Sequence, residues 1–204
     1  MAGRGDIPKD LQPENLLSAY ASAAFPMEED GTIWWYRPQR RGLLPLDERF
    51  HVSRSLRRTI RRGAYACTVN EAFERVMRLC ADRPEGTWIG PRMLAAYTHL
   101  HDAGFAHSVE AWPAGAIGEE DPVGGVYGVA LAGAFFAESM FHRRTDAGKV
   151  ALVHLIERLR QRGFAFCDIQ WATPHLQTFG AIELPADDYA ALLGNALDRH
   201  VRFA

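Results

Sequence analysis

The chain has 204 residues, 48% of them hydrophobic and 24% charged, with a formal net charge of −2. This composition fits one or two small globular domains and excludes disordered and collagen-like chains. No run approaches the ~18 apolar residues of a membrane helix, and the opening stretch, MAGRGDIPKDLQPEN, lacks the apolar core of a signal peptide. Cys67, Cys80 and Cys167 form no CxxC pair, which speaks against a disulfide framework or a cysteine zinc site. A cytoplasmic protein without membrane contact is expected.

In chain order, Pro13 opens a helix, ENLLSAYASAA, with Leu16, Leu17 and Tyr20 along one stripe. IWWYRP reads as a short strand closed by Pro38. Ser53 caps a helix, SRSLRRTIRRG, that stops at Gly63. From there strands and helices alternate. AYACTV is a strand, Asn70 caps the helix EAFERVMRLCAD, and Pro91 is the first residue of a helix that Gly104 ends. AHSVEAW, GGVYGVAL and AFFAESMF follow as three strands, interrupted by the turn-rich PAGAIGEEDP. A helix from about Asp146 to Arg162 precedes FAFCDIQW, apolar enough to be a central strand. A short helix after Thr173, a strand AIELP and a helix DDYAALLGNALDRH finish the chain. The expectation is an α+β protein with a mixed, mostly antiparallel sheet. It divides into a small N-terminal domain with a basic helix (1–62) and a second domain (63–204) whose element order is acetyltransferase-like.

Charge is segregated. Residues 37–62 hold nine arginines against Asp47 and Glu48, a balance of +7, and the rest of the chain carries −9. Arg54, Arg57, Arg58, Arg61 and Arg62 recur at three- and four-residue spacings, so most share one helix face. That face suits a polyanion; the alternative is a solvated, arginine-rich helix. Two carboxylates stand in apolar strands. Asp168 and Gln170, two apart in FAFCDIQW, leave the strand on the same side, and Glu138 stands among Phe136, Ala137, Met140 and Phe141. A buried acid needs a partner, so each is either a structural capping group or a working group of one cleft with a shifted pKa. Trp34, Trp35, Trp88 and Trp112 are either core or stacking platforms for bases. His99 and His101 point apart on a helix, so no metal site is expected. There is no GxxxxGK[ST] loop either.

The segments LLSAYASAAFPM, WWYRPQRRGLLP, HVSRSLRR, EGTWIGPRMLAAYTHLHDAGFAHSVEAW, GGVYGVALAGAFFAESMF, KVALVHL, FCDIQW and FGAIELPADDY resemble, in this order, the leucyl/phenylalanyl-tRNA–protein transferase family. The resemblance implies transfer of Leu or Phe, and more weakly Met, from aminoacyl-tRNA to the N-terminal Arg or Lys of a protein, marking it for ATP-dependent proteolysis. It implies an acetyltransferase-like fold without acetyl-CoA: the [QR]xxGx[GA] turn is absent, since Gly148 has Thr145 three before it and Val150 two after. No cofactor, metal or DNA is implied. Asp168 and Gln170 match the pair proposed to activate the attacking amine. Glu138 matches a glutamate that recognises the basic residue or supports the glutamine, and Trp88 a tryptophan that binds the tRNA 3′ adenosine. Met140, Leu152 and Leu155 match the pocket for the aminoacyl side chain. Met27 replaces the tryptophan of the family's FPW, and Ile169 stands in the middle of the DxQ motif, expected to point away from the site.

Overall fold

A computed structural model describes residues 10–204; most of the opening stretch judged for a signal peptide, residues 1–9, lies outside them. The elements are α1 (Pro13–Ala21), β1 (Phe25–Glu29), β2 (Thr32–Tyr36), β3 (Arg40–Leu44), α2 (Arg54–Arg61), β4 (Tyr65–Val69), α3 (Phe73–Ala81) and α4 (Pro91–Asp102). They continue with β5 (Ala106–Pro113), β6 (Gly124–Leu131), β7 (Ala134–His142), α5 (Ala147–Arg162), β8 (Phe166–Gln170), α6 (Pro174–Gln177), β9 (Ile182–Pro185) and α7 (Ala186–Leu197).

Local chemistry accounts for several boundaries. Ser53 Oγ accepts the Leu56 N–H at 3.2 Å and starts α2, and Pro91 holds the first position of α4. Asn70 does not cap α3 as expected. Its backbone is left-handed (φ 62°), and its side chain instead accepts the Ser108 N–H at 3.0 Å and meets His107 Nδ1 at 3.0 Å, so α3 starts at Phe73, two residues later than expected. A tertiary partner outcompetes the local cap.

β1 and β2 form a separate hairpin. The other strands make one seven-stranded sheet in the order β4-β5-β6-β7-β8-β3-β9. It is mixed: β7 and β8 run parallel, linked by α5, and the other neighbours are antiparallel. β3, whose residues fall in the N-terminal domain expected from sequence (1–62), lies between β8 and β9. The sheet therefore combines one strand from before residue 62 with six from after it. One core cluster fills the face beneath α1, α3, α4 and α7 and a second fills the face beneath α5. The β7–β8 ladder joins only Ala134–Phe136 to Phe166–Asp168. Beyond it β7 runs on to His142 without β8, and the gap opens a cleft between the two strands' C-terminal ends.

Candidate functional site

The cleft has a volume of about 1050 Å³ and is lined from both faces of the sheet. Glu138 and Gln170 meet in it, Gln170 Nε2 donating to Glu138 Oε1 at 3.3 Å. Behind Glu138 stand two buried phenols. Tyr20 of α1 donates to Oε1 at 2.7 Å, Tyr97 of α4 reaches Oε2 at 3.4 Å, and the two hydroxyls bond each other. Burial, aided by the Asp168 charge and opposed by the Tyr20 hydrogen bond and Arg41, pushes the Glu138 carboxyl up to about 8. Burial and the nearby Glu138 push both tyrosines well above the usual phenol range.

Asp168 is fully buried and is not among the cleft-lining residues. Arg41 of β3 donates from Nε to Oδ2 at 2.8 Å, and the Gln170 backbone N–H donates to Oδ1 at 2.8 Å. Asp168 therefore touches Gln170 through its main chain, at a residue held in the left-handed region (φ 57°). The three polar residues read from the sequence thus come together in two steps: Glu138 to the Gln170 side chain, Gln170 to Asp168. The sequence reading missed Arg41, Tyr20 and Tyr97 as site partners. Their one signal was that buried carboxylates need such partners.

Met140, Leu152, Val126, Ala137 and Phe141 form the apolar wall. α5 comes close enough to complete it because Gly148 has no side chain: a Cβ there would stand 2.7 Å from Phe141 O. Leu155 is fully buried in the core cluster under α5 and does not line the cleft. Ile169, expected to point away, lines it, because the cleft passes through the sheet and both faces of β8 border it. Trp88 and Met27 line the cleft together, and Trp171, not singled out from sequence, is 44% exposed at its edge. Trp112 is a core residue, its Nε1 donating to Thr68 at 2.7 Å.

Arg54, Arg57, Arg58 and Arg61 on α2 and Arg62 at its C-cap are all exposed, and none makes an ion pair among the described residues. Leu56 anchors the helix, and Thr59 donates to Asp146 at 3.1 Å. Asp146 lines the cleft, so the basic helix lies beside the cleft's rim.

Two family profiles match this chain: "Leucyl/phenylalanyl-tRNA protein transferase" over residues 43–194 and "Leucyl/phenylalanyl-tRNA protein transferase N-terminal domain" over residues 9–39. Among curated relatives, the leucyl/phenylalanyl-tRNA–protein transferase of Herpetosiphon aurantiacus is 51% identical over 96% of this chain and 99% of its own length. That of Cereibacter sphaeroides is 52% identical over 97% and 90%, and that of Ruegeria pomeroyi 50% over 95% and 90%. Among solved structures, that of L-PGS from Bacillus licheniformis has a TM-score of 0.49 at 10% identity, covering 79% of this chain and 66% of that one.

Proposed function

From the premise that this chain belongs to the leucyl/phenylalanyl-tRNA–protein transferase family, we propose that it transfers Leu or Phe from aminoacyl-tRNA to the N-terminal Arg or Lys of acceptor proteins. The transfer takes place in the cytoplasm and creates the N-terminus that the bacterial N-end rule pathway degrades. The observation that carries this reading is the juxtaposition, in one cleft, of an apolar wall with the Glu138–Gln170 pair. The wall, Met140 and Leu152, receives the aminoacyl side chain, and Trp88 stacks on the terminal adenosine. Leu155 supports the wall from the core. The five α2 arginines hold phosphates of the tRNA, contacts that add affinity without reading sequence.

The reaction is aminolysis of an ester, an already activated carbonyl, so the main task is to hold amine and carbonyl in attack geometry. The acceptor's α-amine, with an ordinary pKa of ~8, loses a proton as the N–C bond forms, and the tRNA 3′ oxygen leaves and takes up a proton. Gln170 contacts the amine. Glu138 fixes the Gln170 carboxamide and faces the acceptor's cationic side chain, whose arrival favours the ionised carboxyl. Asp168, tied to Arg41, orients Gln170 from behind. We read the sheet as acetyltransferase-like, supported by the β6–β7 hairpin, the α5 crossover and a cleft where parallel β7 and β8 part.

The deciding experiment incubates the protein with leucyl-tRNA and a peptide beginning with Arg, then measures the peptide's mass. Addition of one leucine residue is expected. An unchanged mass, with the same peptide unmodified by phenylalanyl-tRNA, overturns the proposal.

A further inference from the structure

Arg41 is 1% exposed and pairs with the fully buried Asp168 carboxylate. As a stabilising device the arrangement is poor. Taking two charges out of water costs about what their attraction returns. In addition, Arg41 Nη2 is buried without a hydrogen-bond partner. A methionine would fill the same slot, where the guanidinium carbon lies 4.6 Å from the Phe25 ring centre and 5.0 Å from that of Tyr189.

Its contacts explain it better as a geometrical device. Nε engages Asp168 Oδ2, which leaves Oδ1 to the Gln170 N–H. Gln170 needs that hold because a left-handed backbone is unfavourable for a residue with a side chain. Residue 42, next along β3, is the register partner of Gln170. It is a glycine because a Cβ there would stand 2.6 Å from Ala172 N and Trp171 C. β3 therefore lies directly against the turn that aims the carboxamide. Arg41 Nη1 also donates to Ala23 O at 3.2 Å, at the bend that leads into Phe25, Pro26 and Met27 on the opposite cleft wall. One planar, forked cation spans both walls, which the point charge of a lysine does not do.

We propose that Arg41 is a positioning residue for transfer: through the Asp168 carboxylate it holds Gln170 in its left-handed conformation and fixes the carboxamide's place in the cleft. The kinetic part rests on the function proposed above; the structural part does not.

The test compares wild type, Arg41→Lys, Arg41→Met, Asp168→Asn and the Arg41→Met/Asp168→Asn double variant. In Arg41→Lys, kcat for transfer is expected to fall about tenfold or more, with the KM for leucyl-tRNA nearly unchanged. The double variant strands no charge and should lose no more than the worse of its two single variants, because the residues act as one unit. By NMR, the Gln170 amide of Arg41→Lys should exchange about tenfold faster while the α4 amides keep their wild-type rates. Unchanged exchange at Gln170, multiplied losses in the double variant, or a loss confined to KM each overturns the proposal. If Arg41→Met fails to fold because Asp168 is left unpaired, Arg41→Lys and the double variant still decide. A wild type without transfer activity overturns the function instead, and the exchange measurement still judges Arg41.

Discussion

Glu138 carries its carboxyl where ionisation is costly, and this has two measurable consequences. Its folded-state pKa, pushed up to about 8, lies above the ordinary 4.5. The folded protein therefore keeps a proton that the unfolded chain releases. The resulting stabilisation is full below about pH 4.5 and is lost as pH rises through about 8. Glu138→Gln removes that dependence. The Tm of wild type relative to the variant should fall as pH is raised from about 4.5 to about 8, and a constant difference would refute the burial argument. The same variant should use Arg- and Lys-starting peptides less well by about one to two orders of magnitude, as a charge-assisted hydrogen bond of ~1.5–3 kcal/mol predicts. Peptide kinetics check this. Asp168→Ala should remove most transfer, on the order of 10²–10⁴ in rate, while leaving tRNA binding nearly intact. It also strands a buried guanidinium, so Tm should fall by an amount equivalent to ~3–5 kcal/mol. Turnover near wild type at saturating peptide would contradict the role. Both acids stood out in the sequence because a carboxylate in an apolar strand needs a reason. Arg41 did not, because it was one arginine in a run of nine, and nothing local separates a buried member from the solvated ones.

At the scale of elements, all seven helices were legible in the sequence, and strong local caps fixed where three of them start. Ser53, Thr173 and Pro91 act where the sequence put them, because caps and fixed φ angles are local chemistry. β1 and β3 were not read: FPMEE and RRGLL show no strict alternation, and each becomes a strand by pairing with a partner. The basic helix α2 offers the prediction for this scale. Its five arginines are exposed and free of ion pairs among the described residues, which removes the reading in which they serve acids of the other region. Arg57→Glu with Arg61→Glu should raise the KM for leucyl-tRNA. It should also flatten the salt dependence of binding by about one unit of slope for each phosphate no longer neutralised. Transfer from an aminoacyl-adenosine, which has no stem to grip, should be largely spared. Unchanged affinity and slope would leave these arginines as solvation only. Equal impairment of both donors would mean that α2 props up the cleft through Thr59 and Asp146.

For the molecule as a whole, the sheet order matters most. β3 lies between β8 and β9, and Tyr20 and Arg41 reach the site from before residue 62. Residues 63–204 expressed alone should therefore neither fold cooperatively nor transfer. β8 and β9 would lose the strand that joins them, and Asp168 would lose its cation. Circular dichroism through a thermal scan checks this; a sharp transition with activity would refute it. Sequence alone determined the α+β class, the helix boundaries set by caps, the family, and the acids, wall residues and arginines worth testing. These follow from local chemistry, periodicity and motif. Tertiary structure alone decided that Asp168 lies buried behind the cleft, that Leu155 is core while Ile169 lines the cleft, and that an arginine and two tyrosines, Arg41 and Tyr20 from the N-terminal region and Tyr97 from α4, bond the two carboxylates. Those facts depend on which strands pair and where the β7–β8 ladder stops, and such long-range pairings are set by global packing, which the local pattern does not record.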